Sequence, residues 1–171
     1  MIAISTVIWA LTILVYHHAQ GDPSYEIQIT EIKSISDNKE YVDPVELSAG
    51  TSTISIKSTV KKEVPQDAIC ETLFYKNVDG NFKKSPIGIA AAPCCEVMFE
   101  NELFKRIMEN QNVPKACPFT PGTYSVENYA LDTSKHKNPP RGEYRANFTA
   151  SLPSEGIIYG VLLTFSIVDK A

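Results

Sequence analysis

The 171-residue sequence lacks the short motifs that mark most enzymes. It contains no G-x-S-x-G, no H-E-x-x-H and no phosphate-binding glycine loop. Histidine is scarce, because His17 and His18 belong to an N-terminal apolar segment and only His136 follows it. Nucleophilic catalysis needs a base beside the nucleophile, and His136 lies in a Lys-rich turn typical of a solvated loop. We therefore predict a non-enzymatic protein that uses no cofactor.

Two further absences exclude other classes of protein. The formal net charge is −4 and no block of like charges occurs, so a nucleic-acid backbone is not an expected partner. No C-x-x-C pair is present, and only His136 could assist the cysteines as a ligand, so we expect no metal site.

The N-terminal segment is apolar but short. The run over residues 2–16 falls below the roughly 20 apolar residues that span a bilayer, which argues against the alternative of a membrane anchor. The small residues Ala19 and Gly21 follow, just before a polar stretch. We interpret residues 1–20 as a signal peptide and residues 21–171 as one domain of a secreted protein, extracellular or lysosomal.

The cysteines of a secreted chain predict disulfides. The four cysteines permit three pairings, and a bond between adjacent Cys94 and Cys95 would strain the peptide that joins them. Two cross-pairings remain. We favour Cys70–Cys94 with Cys95–Cys117, in which each bond closes a loop of similar length, and the other cross-pairing stays open.

The remaining sequence has mostly the pattern of β-strands. Apolar and polar residues alternate, or β-forming residues cluster, over residues 25–30, 51–61, 69–78, 124–131, 143–152 and 157–168. Asp79-Gly80 indicates a hairpin turn, Ser36 begins a predicted turn, and residues 86–93 are apolar and predicted irregular. Between residues 96 and 110, apolar residues recur at helical spacing, which predicts one short helix. The fold class is therefore mostly β, a two-sheet β-sandwich or open cup with one short helix.

The only N-glycosylation sequon is Asn147-Phe-Thr149. We expect Asn147 to carry a glycan and so to face solvent. Alternation along the strand then directs Tyr144, Phe148 and their same-face neighbours inward.

Three motifs in the second half of the chain carry a resemblance to a known family. They are Cys-Pro-Phe at residues 117–119, Gly-Thr-Tyr at residues 122–124 and Gly-Glu-Tyr-Arg at residues 142–145. In their order and spacing they resemble the ganglioside GM2 activator family, and the run over residues 124–132 looks especially like arthropod members of the MD-2-related lipid-recognition superfamily. The resemblance extends from Cys95 to the C-terminus.

The resemblance implies an immunoglobulin-like β-cup whose two sheets separate around an apolar cavity for a lipid. It also implies the Cys95–Cys117 bond. The partners it implies are a glycolipid, fatty acid or sterol-like ligand, a lipid hydrolase, and transient contact with a membrane through apolar loop tips near residues 86–93. We expect ten inward side chains to contact the lipid: Ile56, Phe74, Phe99, Phe104, Ile107, Met108, Phe148, Tyr159, Leu163 and Phe165.

Two alternatives remain open at this point. The same cup would suit a chemosensory carrier of pheromones or cuticular hydrocarbons. A closed sandwich with a filled core would instead suit an adhesion or inhibitor module, because the periodicity of a cavity wall and that of an ordinary core are the same.

Overall fold

The computed structural model describes residues 24–131 and 139–170 as eight strands and two helices. The first five strands are β1 (Tyr25–Asp37), β2 (Glu46–Ala49), β3 (Thr53–Val60), β4 (Ile69–Val78) and β5 (Asn81–Pro93). They are followed by α1 (Cys94–Glu100), α2 (Glu102–Asn110), β6 (Gly122–Ala130), β7 (Gly142–Leu152) and β8 (Gly156–Asp169). The predicted signal peptide and His136 lie outside the described residues.

The strands form two antiparallel sheets, as expected for a mostly β sandwich. The larger sheet has five strands in the order β1-β8-β7-β4-β5, and the smaller has three in the order β2-β3-β6. The predicted hairpin joins β4 to β5, with Asp79 at φ 54° and Gly80 at φ 82°. Such left-handed conformations match the right-handed twist of the strands, which is why Asp-Gly is favoured there. Within the described residues, neither helix has the length and apolar character needed to cross a membrane.

The helical region differs from its prediction, because two helices replace the single expected one. Asn101 interrupts the run with an extended backbone (φ −73°, ψ 124°). Its side-chain Oδ1 accepts a hydrogen bond from the backbone N–H of Leu103 at 3.0 Å. Asparagine competes for backbone donors in this way, and so it starts a new helix rather than continuing an old one.

Residues 86–93 are also not the irregular segment or loop tip that we predicted. They belong to β5, which is the edge strand of the five-stranded sheet. An edge strand tolerates proline, because one side of it makes no ladder hydrogen bonds. A bulge accommodates Pro86, since residues 85–87 lie opposite the single residue Phe74 on β4.

Two further boundaries differ from the sequence prediction. β1 continues through Ser36, which we predicted to be a turn, because its pairing with β8 reaches Asp37. The four-residue β2 was not predicted at all. Its residues are mostly exposed, so it has little of the alternation on which a prediction depends.

One end of the sandwich has a closely packed core that contains a disulfide bond. Cys70 and Cys94 are bonded and almost inaccessible to solvent, and they pack among buried residues that include Ala68, Val97 and Ile158. The second bond joins Cys95 to Cys117. Both are the bonds that we favoured from the sequence. Together they attach α1 to the five-stranded sheet and to the segment that precedes β6.

The other end of the five-stranded sheet carries an apolar cluster that only one sheet supplies. Its members are Tyr25, Ile27, Ile29, Phe74, Tyr144, Ala146, Leu163, Phe165 and Ile167. All of them belong to β1, β4, β7 or β8, and no described residue of the three-stranded sheet is part of the cluster. Tyr25, Phe165 and Ile167 are buried, but the cluster contains no described side chain from the opposite sheet.

Candidate functional site

A cavity of about 460 Å³ lies over this apolar face. The five-stranded sheet forms one wall, and β3, β6 and α2 contribute to the walls facing it. Its volume falls within the roughly 300–1,000 Å³ range of small-molecule sites. A closed sandwich with a filled core, one of the alternatives left open by the sequence, predicts no such space.

Nine of the ten side chains predicted to contact a ligand line this cavity. They are Ile56, Phe74, Phe104, Ile107, Met108, Phe148, Tyr159, Leu163 and Phe165. Residues far apart in sequence are joined here by aromatic contacts. The Phe148 ring lies 5.3 Å from that of Phe104 on α2 and 6.0 Å from that of Tyr159 on β8.

Phe99 is the exception, because it is not among the residues that line the cavity. Its ring packs 6.1 Å from that of Phe119, away from the cavity. The sequence placed Phe99 on the same helical face as Phe104. Because the helix is broken at Asn101, the two phenylalanines do not share one face, and Met98 lines the cavity instead.

The cavity has more lining residues than the sequence predicted. Those not named as ligand contacts include Ile27, Ile32, Ile54, Thr72, Met98, Leu103, Tyr129, Val161 and Ile167. Some could have been found by extending the alternation, since Val161 and Ile167 share a face with Leu163. Others had no local signal, because Ile32 reaches the cavity only after a bulge between Ile29 and Glu31 changes the register of β1.

The cavity is electrically neutral over its described lining. No Asp, Glu, Lys, Arg or His of residues 24–131 and 139–170 lines it. Two lining tyrosines direct their hydroxyls to nearby carbonyls: the Tyr144 hydroxyl donates to the Pro140 oxygen at 2.7 Å, and the Tyr124 hydroxyl to the Thr120 oxygen at 2.9 Å. An isolated charge in such surroundings would be strongly disfavoured.

The titratable groups with shifted pKa values do not line the cavity. Tyr41 is a buried residue whose hydroxyl donates a 2.8 Å hydrogen bond to Glu155, and this bond raises the pKa of Tyr41. A hydrogen bond to Glu40 raises the pKa of Lys62 to about 12. The described residues also contain no group of three His, Cys, Asp or Glu side chains placed to hold a metal ion. The cavity therefore offers apolar contact and hydroxyl groups.

Two exposed apolar side chains show where the cavity reaches the surface. Ile87, in the bulge of β5, is 71% exposed, and Leu103, in the first turn of α2, is 38% exposed, yet both line the cavity. Large apolar side chains at the surface are informative when they are adjacent to a cavity. They form an apolar rim between the edge strand and the helix.

The sequon lies on the opposite face of the five-stranded sheet. Tyr144, Ala146 and Phe148 of β7 line the cavity, so Asn147 between them faces away from it. Tyr144 and Phe148 therefore lie on the face that the sequence predicted to point inward. Asn147 is half-buried there, and its Oδ1 has no hydrogen-bond partner in the described structure.

Comparison with known proteins gives two similarities. Residues 70–146 match a family described as "protein of unknown function (DUF1091)", which covers less than half of the chain. Among solved structures, the chain is similar to a Niemann-Pick type C2 protein from the Japanese carpenter ant, with 12% identity and a TM-score of 0.34 over 85% of this chain and 95% of that one. No curated protein gives a significant sequence match. The fold is defined by the strands and sheets described above.

Proposed function

We propose that the chain is a secreted, non-enzymatic carrier that binds the hydrocarbon part of a lipid between its two sheets. The observation that carries this proposal is the neutral cavity of about 460 Å³ between the apolar face of the five-stranded sheet and the facing residues of β3, β6 and α2. Removing a methylene group from water contributes about 0.8 kcal/mol, so a chain of about a dozen carbons offers on the order of 10 kcal/mol before binding costs. No acid, base or nucleophile is needed for this function.

The two disulfides support the extracellular or lysosomal part of the proposal. Such bonds persist in oxidising compartments and are rare in the cytosol. We further propose that Asn147 is glycosylated. Protein secreted from eukaryotic cells should lose mass on treatment with an N-glycosidase, and Asn147→Gln should abolish that loss. An unchanged mass for the wild-type protein would refute glycosylation of Asn147.

The apolar rim is consistent with transfer of a lipid to or from a membrane, and so with presentation of that lipid to a hydrolase. Ile87 and Leu103 would let an alkyl chain pass between bilayer and cavity without full exposure to water. The matching test is extraction of labelled lipid from liposomes. We expect Ile87→Asp to slow the extraction while leaving the affinity for free ligand nearly unchanged.

Ligand binding itself is tested by titrating the protein with a fluorescent fatty-acid analogue. Ala146→Phe adds a ring inside the cavity and should weaken binding at least tenfold. Ala49→Phe adds the same ring at an exposed position outside the cavity lining and is the matched control. Failure of the folded wild-type protein to bind at saturating probe would refute the carrier function. Mass spectrometry of an organic extract of the native protein then distinguishes a glycolipid from a pheromone or cuticular hydrocarbon.

A further inference from the structure

Among the described residues, the cavity wall contains a buried hydroxyl that no other group satisfies. Thr72 on β4 lines the cavity and is 4% exposed, and its Oγ1 is shielded from solvent with no hydrogen-bond partner among the described residues. Buried polar groups in native proteins nearly always have a partner, and an unsatisfied one is costly. A buried exception on a cavity wall therefore points to a ligand atom as the missing partner.

Thr72 lies at the floor of the cavity, where the packed core begins. Along the inward face of β4, Cys70 belongs to the packed core and Phe74 to the apolar cluster under the cavity, and Thr72 is between them. Its partners in the flanking strands, Phe148 and Ile89, are apolar. The hydroxyl is thus an isolated polar group in apolar surroundings, where a hydrogen bond is stronger than it is in water.

The side chain can direct its hydroxyl to a ligand without any movement of the backbone. Staggered rotation about the Cα–Cβ bond exchanges the hydroxyl with the other groups on Cβ. Because the side chain borders the cavity, a rotated hydroxyl meets whatever fills the floor. A hydroxyl both donates and accepts, so it can bind a carbonyl, an ester oxygen or an alcohol.

The neutral lining determines which ligand oxygen suits this position. A carboxylate or phosphate at the floor would lack a compensating charge among the described lining residues, whereas an uncharged oxygen needs only one hydrogen bond. We propose that Thr72 is the polar anchor of the cavity. The preferred ligands are then uncharged molecules that have a hydrocarbon chain and one terminal alcohol, ester or carbonyl group. They bind with this polar group at the floor of the cavity, next to Thr72. This inference rests on the proposed carrier function and narrows its ligand class.

The test compares Thr72→Val with Thr164→Val, which makes the same chemical change. Thr164 is also 4% exposed, but it does not line the cavity, and its hydroxyl donates to Glu31 at 3.4 Å. Affinities for dodecanol, dodecane and dodecanoate are measured by displacement of a fluorescent probe. We expect Thr72→Val to weaken dodecanol binding about fivefold, with dodecane and dodecanoate unchanged, and Thr164→Val to change none of the three.

Folding is checked by the urea midpoint of each variant without ligand. Thr72→Val should leave the midpoint unchanged or raise it, because it removes an unsatisfied group, whereas Thr164→Val should lower it. If Thr72→Val weakens the binding of all three ligands equally, or does not weaken the binding of dodecanol, the role of Thr72 as an anchor is refuted. The carrier function is left intact by either result. If the wild-type protein binds none of the probes, the carrier function fails and the anchor fails with it.

Discussion

Two alanine substitutions on one strand distinguish an open cavity from a filled core. Ile158 and Leu163 both lie on β8, and truncation to alanine removes the same number of carbon atoms from each. Ile158 is 1% exposed within the packed core, while Leu163 lines the cavity. Differences in free energy of unfolding between these variants therefore report mainly on how each side chain is surrounded.

The expected losses in free energy of unfolding follow from this difference in surroundings. Three methylene equivalents carry a transfer free energy of about 2.4 kcal/mol. At Ile158 the full transfer term is lost and a new void is left in a close-packed region, so Ile158→Ala should cost about 3–5 kcal/mol. At Leu163 the truncation only enlarges an existing space, and the side chain is incompletely covered, so Leu163→Ala should cost about 1 kcal/mol.

The assay is urea unfolding of the disulfide-bonded protein, followed by circular dichroism, together with titration of the fluorescent fatty-acid analogue. Leu163→Ala should weaken probe binding severalfold, and Ile158→Ala should leave it nearly unchanged while the protein remains folded. Equal losses of stability near 4 kcal/mol would show that the face bearing Leu163 is as closely packed as the core. That result would refute the open cavity and every proposal built on it.

Two further predictions concern the packed end of the sandwich. Replacing both Cys70 and Cys94 by alanine should lower the free energy of unfolding by about 3.5 kcal/mol, because the disulfide no longer closes a loop in the unfolded chain. Removal of the buried sulfurs should lower it further. Urea unfolding measures the change, and a value below about 1 kcal/mol would contradict this prediction. Because its hydrogen bond to Glu155 raises the pKa of Tyr41, the bond's contribution to stability is fully present below pH 10 and is lost as the pH rises through the folded-state pKa. Tyr41→Phe should therefore be less stable than wild type at pH 8, and the difference should shrink in alkaline buffer; a difference that grows with pH would refute this sign.

Local features of the sequence predicted the strands well where one face is buried. The alternation Tyr159, Val161, Leu163 appears as one cavity-facing side of β8, and Asp79-Gly80 forms the expected turn. These predictions succeed because a period of two and a left-handed turn are properties of a few adjacent residues. The predictions failed where long-range pairing decides the structure, as at residues 86–93, whose edge position in the sheet allows a proline-containing strand.

The candidate site was predictable only in part for the same reason. Nine lining residues were named from apolar periodicity and the family resemblance, but Phe99 does not line the cavity, and Asn101 ends its helix and caps the next one. Thr72 was not considered, since a lone threonine in a strand is unremarkable until its surroundings are known. That its hydroxyl has no hydrogen-bond partner among the described residues is evident only from the assembled sheets.

The sequence by itself determined the β character of the chain, the inward and outward sides of most strands, and the cysteines available for bonding, because each depends on neighbouring residues. Only the tertiary structure decided that the inward side chains at one end of the five-stranded sheet border a cavity, while those at the other end meet a packed core. An apolar side chain has the same spacing in a strand whether it faces a packed core or an open cavity. The cavity between the five-stranded sheet and the facing residues of β3, β6 and α2 distinguishes these outcomes.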